Sequence, residues 1–239
     1  MLGYNNRFKL LYPILKGPWK KIIQNAAIIT TPSNYLTNKI KEIIPIDNSK
    51  TIPNGLDFSL FKPVKKQNRI IIVARLFINK GIQDILDAIK DIQLKGWKID
   101  IIGDGPYKEF LYKKTVENNL SKIVTFHGWI DHKDKRMKEL YGRAKIFISA
   151  SYFESFGQTV LEAISSGCYP LISDIESHKF IVKKNRYLFR CGDVDHLQKK
   201  IHSLLQKDIA TPQIKVSQFS WDTIIDNYIQ TLKKALKKK

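Results

Sequence analysis

The sequence predicts an α/β protein built on a doubly wound, parallel, Rossmann-like sheet, and two patterns carry that prediction. Short runs rich in Ile and Val recur along the 239 residues, and several, RIIIVAR (69–75) and KIFISAS (145–151) among them, are apolar nearly throughout. Continuous apolar runs mark strands covered on both faces, whereas strands with one wet face alternate. Between the runs, apolar residues return at spacings of three and four, which puts them on one stripe of a helix. Strand and helix in alternation imply right-handed crossovers and a sheet wrapped on both sides.

AAIITT (26–31) reads as the first strand, NYLTNKIKEI (34–43) as a helix and SKTIP (49–53) as the second strand. FKPVKKQN (61–68) is polar and basic and contains Pro63, the composition of an interdomain linker. RIIIVAR (69–75) then opens a long series, followed by a helix with Ile82, Ile85, Leu86, Ile89 and Ile92 on one face. Further strands are WKIDIIG (97–103), KIVTFHG (122–128), KIFISAS (145–151), YPLIS (169–173) and RYLF (186–189). Val160, Leu161 and Ile164 mark one helix of this stretch, and Leu197, Ile201, Leu204 and Leu205 another. A last helix, from Ser220 to Lys233 or beyond, carries Trp221, Ile224, Ile225, Tyr228, Ile229 and Leu232 on one face. Two strands and one helix ahead of the linker cannot bury their own apolar faces, so that piece is expected to be docked or incomplete.

Composition narrows the function classes. Hydrophobic residues make up 43% of the chain, a globular proportion, although Lys+Arg exceeds Asp+Glu by enough to give a formal charge of +19. Cys168 and Cys191 are too few for a disulfide framework and lack metal-ligand spacing, so no metal is expected. No run approaches the roughly 18 apolar residues of a membrane span, and Pro13 interrupts the short apolar stretch near the start. Neither a spanning helix nor a cleaved leader is expected, and the chain reads as cytoplasmic. The positive charge suits an anionic partner, but no helix-turn-helix, zinc spacing or RNA-stacking motif supports nucleic acid.

In an open parallel sheet, ligands bind beyond the carboxyl ends of the strands. Arg75 ends one strand, and Lys80 follows five residues later at the start of a helix, a plausible diphosphate clamp of planar fork and point charge. Gly103-Asp104-Gly105-Pro106 is a tight turn that admits a close backbone approach, but it lacks the third glycine of a dinucleotide fingerprint. After KIFISAS come Glu154, Ser155, Phe156 and Gly157, with a helix starting near Gln158 whose first N–H groups make an anion site. Glu162 lies one turn into that helix. Two carboxylates bracketing an anion site suit a nucleotide-sugar, one facing sugar hydroxyls and the other a ribose diol. The plain reading makes Glu154 a loop residue and Glu162 a solvated helix residue, and gives His127, His132 and His178 packing roles.

Taken together, IPNGLD (52–57), VARLFINKG (73–81), IIGDGP (101–106), FHGWI (126–130), ASYFESFGQTVLEAISSG (150–167) and PLISDIESH (170–178) resemble the family 4 retaining glycosyltransferases. The resemblance runs from about residue 24 to the C-terminal helix. It implies the GT-B architecture of two Rossmann-like domains, of which this chain carries the C-terminal, donor-binding half. Arg75 and Lys80 would hold the donor diphosphate and offset charge on the leaving nucleotide. Glu154 would bind the transferred sugar with backbone groups of Ser155, Phe156, Gly157 and Gln158, and Glu162 the ribose. Gly128, Trp129 and Ile130 would line the base pocket, and Gly103, Asp104 and Gly105 the floor. No cofactor is implied beyond a UDP- or GDP-type nucleotide-sugar as donor substrate, and the donor phosphate would take the acceptor proton.

Two departures stand out. Phe180 sits where relatives often carry a glutamate, and most of an N-terminal acceptor domain is not represented. The expected division is a remnant of that domain at 1–60, a linker at 61–68, a donor-binding domain at 69–215, and a crossover helix with a basic tail at 216–239. A separately encoded N-terminal half would then complete the enzyme. The alternative is a nucleotide-sugar-binding subunit without transfer. Lys9, Lys16, Lys20, Lys21 and KKALKKK (233–239) suggest peripheral attachment to an anionic membrane surface.

Overall fold

The computed structural model of the chain describes residues 17–237. Pro13, Lys9, Lys16 and the last two lysines of KKALKKK lie outside them. The chain divides into two compact units, one of residues 1–55 with 217–239 and the other Leu56–Val216.

In the first unit, a helix over 17–25 (α1) precedes β1 (Ile29–Thr31), α2 (Asn34–Ile43) and β2 (Ser49–Thr51). The two strands pair in parallel, Ile29 opposite Ser49. Ser33 caps α2 by accepting from the Leu36 N–H, the role that short hydroxyl side chains play at helix starts. Ile29, Ile44 and Ile46 are buried together, with Ile23, Ala26 and Ile40 packed against them. The C-terminal helix, Trp221–Leu236, joins this unit through Lys50, whose ammonium donates to Thr231 Oγ1 at 2.8 Å. Of its predicted apolar stripe, Ile224 is buried, while Ile225, Ile229 and Leu232 are exposed.

The second unit is a six-stranded, all-parallel sheet in the order β5-β4-β3-β6-β7-β8. Its strands are β3 (Gln67–Val73), β4 (Lys98–Ile102), β5 (Val124–Phe126), β6 (Ala144–Ser149), β7 (Tyr169–Ser173) and β8 (Leu188–Phe189). They coincide with the six runs read from residues 69–189, usually a residue or more shorter at the ends, though β3 and β6 begin earlier. The helices in order are α3 (Ile82–Ile89), α4 (Lys108–Glu117), α5 (Lys135–Arg143), α6 (Gln158–Ser165), α7 (Glu176–Ile181) and α8 (Val194–Leu205), and the C-terminal helix is α9. The doubly wound α/β expectation is borne out.

Alternate strand residues separate the two layers. Ile70, Ile72, Ile99, Ile101, Ile146 and Ile148 are buried against Ile82, Ile85 and Leu86 of α3 and Leu197 and Ile201 of α8. Phe147, one residue out of phase, packs on Tyr141 of α5 with ring centroids 6.3 Å apart. The segment 61–68 is held against this unit. Phe61 is buried edge-on to Tyr141, Lys66 donates to the Ala144 and Ser166 carbonyls at 2.8 and 2.6 Å, and Gln67 already belongs to β3.

Candidate active site

From β3 the chain winds outward to β4 and β5, then returns to β6 on the other side of β3. The crevice beyond the carboxyl ends of β3 and β6 is therefore the topological switch point, where open parallel sheets bind ligands. Every predicted site residue lies on a loop at that edge or in the helix following β6.

Three loops interlock there. After β4, Gly103 adopts φ +136° and presses on β3: a Cβ at that position would lie 1.8 Å from the Ala74 carbonyl oxygen. Leu76 N–H donates to the Asp104 carbonyl at 2.9 Å, and Tyr107 N–H returns a bond to the Leu76 carbonyl at 3.0 Å. Gly103 N–H also donates to the Gly128 carbonyl at 2.8 Å, which fixes the loop after β5 beside it. On the other side, Tyr152 N–H donates to the Asn79 carbonyl at 3.0 Å. The loop carrying Arg75 and Lys80 is thus clasped between the Gly103–Pro106 turn and the loop carrying Glu154.

Lys80 and Glu154 meet across that junction with Nζ 2.7 Å from Oε1, their side chains 13% and 20% exposed. Ser151 Oγ donates to the same oxygen at 2.8 Å. Ser151 is held in turn, because its carbonyl accepts from Ser173 Oγ at 2.6 Å. Arg75 is exposed, its guanidinium 5.6 Å from the Phe77 ring, with no ion-pair partner among the described residues. α6 starts just after Gly157, which is left-handed and supplies no capping side chain, and the Val160 N–H donates to the Gly157 carbonyl at 3.0 Å.

Glu162 is buried, 8% exposed, rather than solvated. Tyr141 OH donates to its Oε2 at 2.9 Å. Burial dominates and pushes the Glu162 carboxyl up to about 7, with the Tyr141 hydrogen bond pulling the other way. Trp129 is 69% exposed, Ile130 is buried, and Gly128 adopts φ +70° between them and the strand. Phe156 is buried and packs edge-on to Phe180, ring centroids 6.3 Å apart, so the phenylalanine that departs from the family pattern is a packing partner of the site loop.

The sequence reading missed the groups that hold these residues. Asp100, buried in β4, accepts from Arg69 Nη1 at 2.9 and 2.7 Å and lies 2.8 Å from His127 Nε2, which anchors the start of the Gly128–Ile130 loop. A charged residue inside an otherwise apolar strand was the available signal. Ser173 left no comparable trace, and His178 was read only as a packing residue. Among the described residues no group of His, Cys, Asp and Glu is arranged to hold a metal ion, and no helix is long and apolar enough to cross a membrane.

A model of the family described as "Glycosyl transferases group 1" matches residues 57–218, close to the bounds of the second unit. The chain is 25% identical over 201 residues to the amylovoran biosynthesis glycosyltransferase AmsD of Erwinia amylovora, covering 81% of this chain and 55% of that one. It is 27% identical over 169 residues to the poly(glycerol-phosphate) alpha-glucosyltransferase of Bacillus subtilis, covering 68% of this chain and 24% of that one. The chain thus spans about half the length, or less, of these curated relatives. Among solved structures, sucrose-phosphate synthase from Thermosynechococcus elongatus superposes with a TM-score of 0.80 at 22% identity, over 92% of this chain and 61% of that one. Anabaena HepE in complex with UDP-glucose gives 0.80 at 18% identity, over 89% and 65%.

Proposed function

Because the chain belongs to the glycosyl transferases group 1 family, we propose that its second unit binds a nucleotide-diphosphate sugar and serves as the donor half of a retaining, family 4 glycosyltransferase. The observation that carries this reading is the Lys80–Glu154 pair, closed across the switch point beside the N-terminus of α6. A diphosphate entering there takes the Lys80 ammonium and the exposed Arg75 fork, and these cations offset the charge that builds on the leaving nucleotide. Glu154, released from Lys80, accepts hydrogen bonds from hydroxyls of the transferred sugar, and Ser151 keeps its carboxylate oriented. Glu162 accepts from the ribose, with Tyr141 fixing one of its oxygens. The Gly128–Ile130 loop meets the base, and the Gly103–Gly105 turn closes the floor.

In the transfer, the bond between the anomeric carbon and the diphosphate oxygen breaks and a bond to the acceptor oxygen forms on the same face. The acceptor proton passes to the departing phosphate. A glycan or lipid-linked acceptor, held by an acceptor-binding domain facing this unit, completes this reading. The basic end of α9 with its exposed Leu232 and Leu236 is a further candidate for contact with an anionic membrane surface.

Calorimetric titration with UDP and GDP tests the donor site. Saturable binding of one of them, weakened roughly ten- to hundredfold in Lys80→Ala, is expected, and absence of binding to the unmodified chain overturns the proposal. Sugar transfer from a panel of UDP- and GDP-sugars to glycan and lipid-linked acceptors tests catalysis. Binding without transfer favours a non-catalytic subunit.

A further inference from the structure

His178, in α7, is fully buried under the start of α6. Its Nδ1 lies 2.9 Å from the Ser173 carbonyl oxygen and 3.2 Å from Ser173 Oγ. The carbonyl can only accept, and the Ser173 hydroxyl proton is already committed to the Ser151 carbonyl at 2.6 Å. Nδ1 therefore carries the ring proton and Nε2 presents a lone pair. That Nε2 is buried and meets no hydrogen-bond donor. A buried acceptor left unsatisfied is costly and rare in native structures, so one beside a candidate site calls for a partner.

The ring's position says where the partner comes from. A Cβ built on Gly157 would lie 3.4 Å from His178 Cδ2, the carbon bonded to Nε2, so this edge of the ring packs against the backbone of the sugar-binding loop. Gly157 holds φ +108°, a conformation from which only glycine turns its flanking peptides freely. The same corner grips the other end of the loop, since Ser173 Oγ reaches Ser151 and Ser151 Oγ reaches Glu154. Burial holds the ring's pKa below its usual value, and the nearby charges of Glu154 and Lys80 act on it with opposite sign. His178 is thus a neutral acceptor inside the field of the site.

We infer that His178 is a positioning residue for donor binding: its Nε2 accepts a backbone N–H of the Glu154–Gly157 loop in the donor-bound arrangement, so that this hydrogen bond and the grip on the sugar form together. The inference rests on the donor-site reading above and adds a second state of the loop, one that engagement of the sugar selects. The diphosphate, held by Arg75 and Lys80 on a different loop, does not require it.

The test compares His178→Asn with His178→Gln. Asn keeps an amide N–H near the place of Nδ1 and removes the acceptor at Nε2, whereas the longer Gln can return an oxygen to the Nε2 position. Affinities are measured by calorimetry for the matched pairs UDP with UDP-glucose and GDP with GDP-mannose, alongside a thermal melt of each variant. For the pair that the unmodified chain binds, H178N is expected to keep the affinity for the bare nucleotide and lose on the order of tenfold for the nucleotide-sugar, with H178Q recovering most of it. An unchanged ratio in H178N, or equal losses for both ligands together with a lowered melt, overturns the inference. In unmodified protein carrying ¹⁵N-histidine, the His178 Nε2 resonance should move on adding the nucleotide-sugar and stay on adding the nucleotide, and a resonance unmoved by both overturns the inference without any variant. Failure of the unmodified chain to bind all four compounds overturns the donor-site reading, and this inference with it.

Discussion

Tyr141 donates its phenolic hydrogen to Glu162 Oε2 across 2.9 Å, and both side chains are withdrawn from water. The pair ties α5 to α6 on one face of the sheet and places a carboxylate with a pKa of about 7 at the candidate ribose position.

Glu162 makes stability depend on pH in a defined direction. Its folded pKa, about 7, lies above the usual 4.5, so the folded state binds this proton more tightly than the unfolded chain. The contribution is fully present below about 4.5 and is lost as pH rises through about 7. Glu162→Gln removes the slope. Urea melts at pH 5 and pH 8 should show the variant gaining on the unmodified chain by about 2–3 kcal/mol over that interval.

The same group predicts how nucleotide affinity varies with pH. Ribose hydroxyls donate to a carboxylate better than to a neutral carboxyl. Between pH 6 and 8 the affinity for the bound nucleoside diphosphate should rise on the order of tenfold and stay flat in E162Q, as read by calorimetry.

Tyr141→Phe leaves the Glu162 oxygen buried without its donor. The expected loss is about 1–3 kcal/mol of stability by urea denaturation at pH 8, and less at pH 5, where the neutral carboxyl tolerates the apolar neighbour better.

Lys80→Ala lowers both stability and binding. The side chains of the Lys80–Glu154 pair are only 13% and 20% exposed, and Glu154 keeps the Ser151 hydroxyl, so removing the ammonium should cost about 1–3 kcal/mol of stability. Nucleoside diphosphate affinity should fall roughly ten- to hundredfold, because a charge-assisted bond to the diphosphate is lost.

Gly103→Ala should be severe where Gly96→Ala is mild. Both positions have positive φ, +136° and +77°, but a Cβ at Gly103 would lie 1.8 Å from the Ala74 carbonyl, while nothing lies within 4 Å at Gly96. The denaturation midpoint should register more than about 2 kcal/mol for the first and about 1 kcal/mol for the second.

How much of this was legible in the sequence follows from how the information is stored. The strands read clearly because Ile70–Ile72 or Ile146–Ile148 must be apolar on both faces, a local requirement. α4 and α5 did not, since KEFLYKKTVE buries only Leu111 and Thr115, and KRMKELYGR only Met137, Tyr141 and Gly142. Arg75, Lys80, Glu154 and Glu162 were visible through residue type and spacing at strand ends. Ser151, Ser173 and His178 were not, because their meaning lies in bonds such as Ser173 to Ser151, which span 22 residues and exist only once β6 and β7 are paired. Burial of Glu162 was hidden for the same reason, its covering group being 21 residues away on another helix.

The strand order also determines what each half of the second unit can do alone. A chain nicked in the turn at Asp131–Asp134, between β5 and α5, would leave both cations on one fragment and both carboxylates on the other. The break would run along the β3–β6 seam at the centre of the sheet. On the donor-site proposal neither fragment alone would recognise a nucleotide-sugar, and recovered binding would report that the two had found each other, which makes this loop a natural place to divide the unit into a complementation pair.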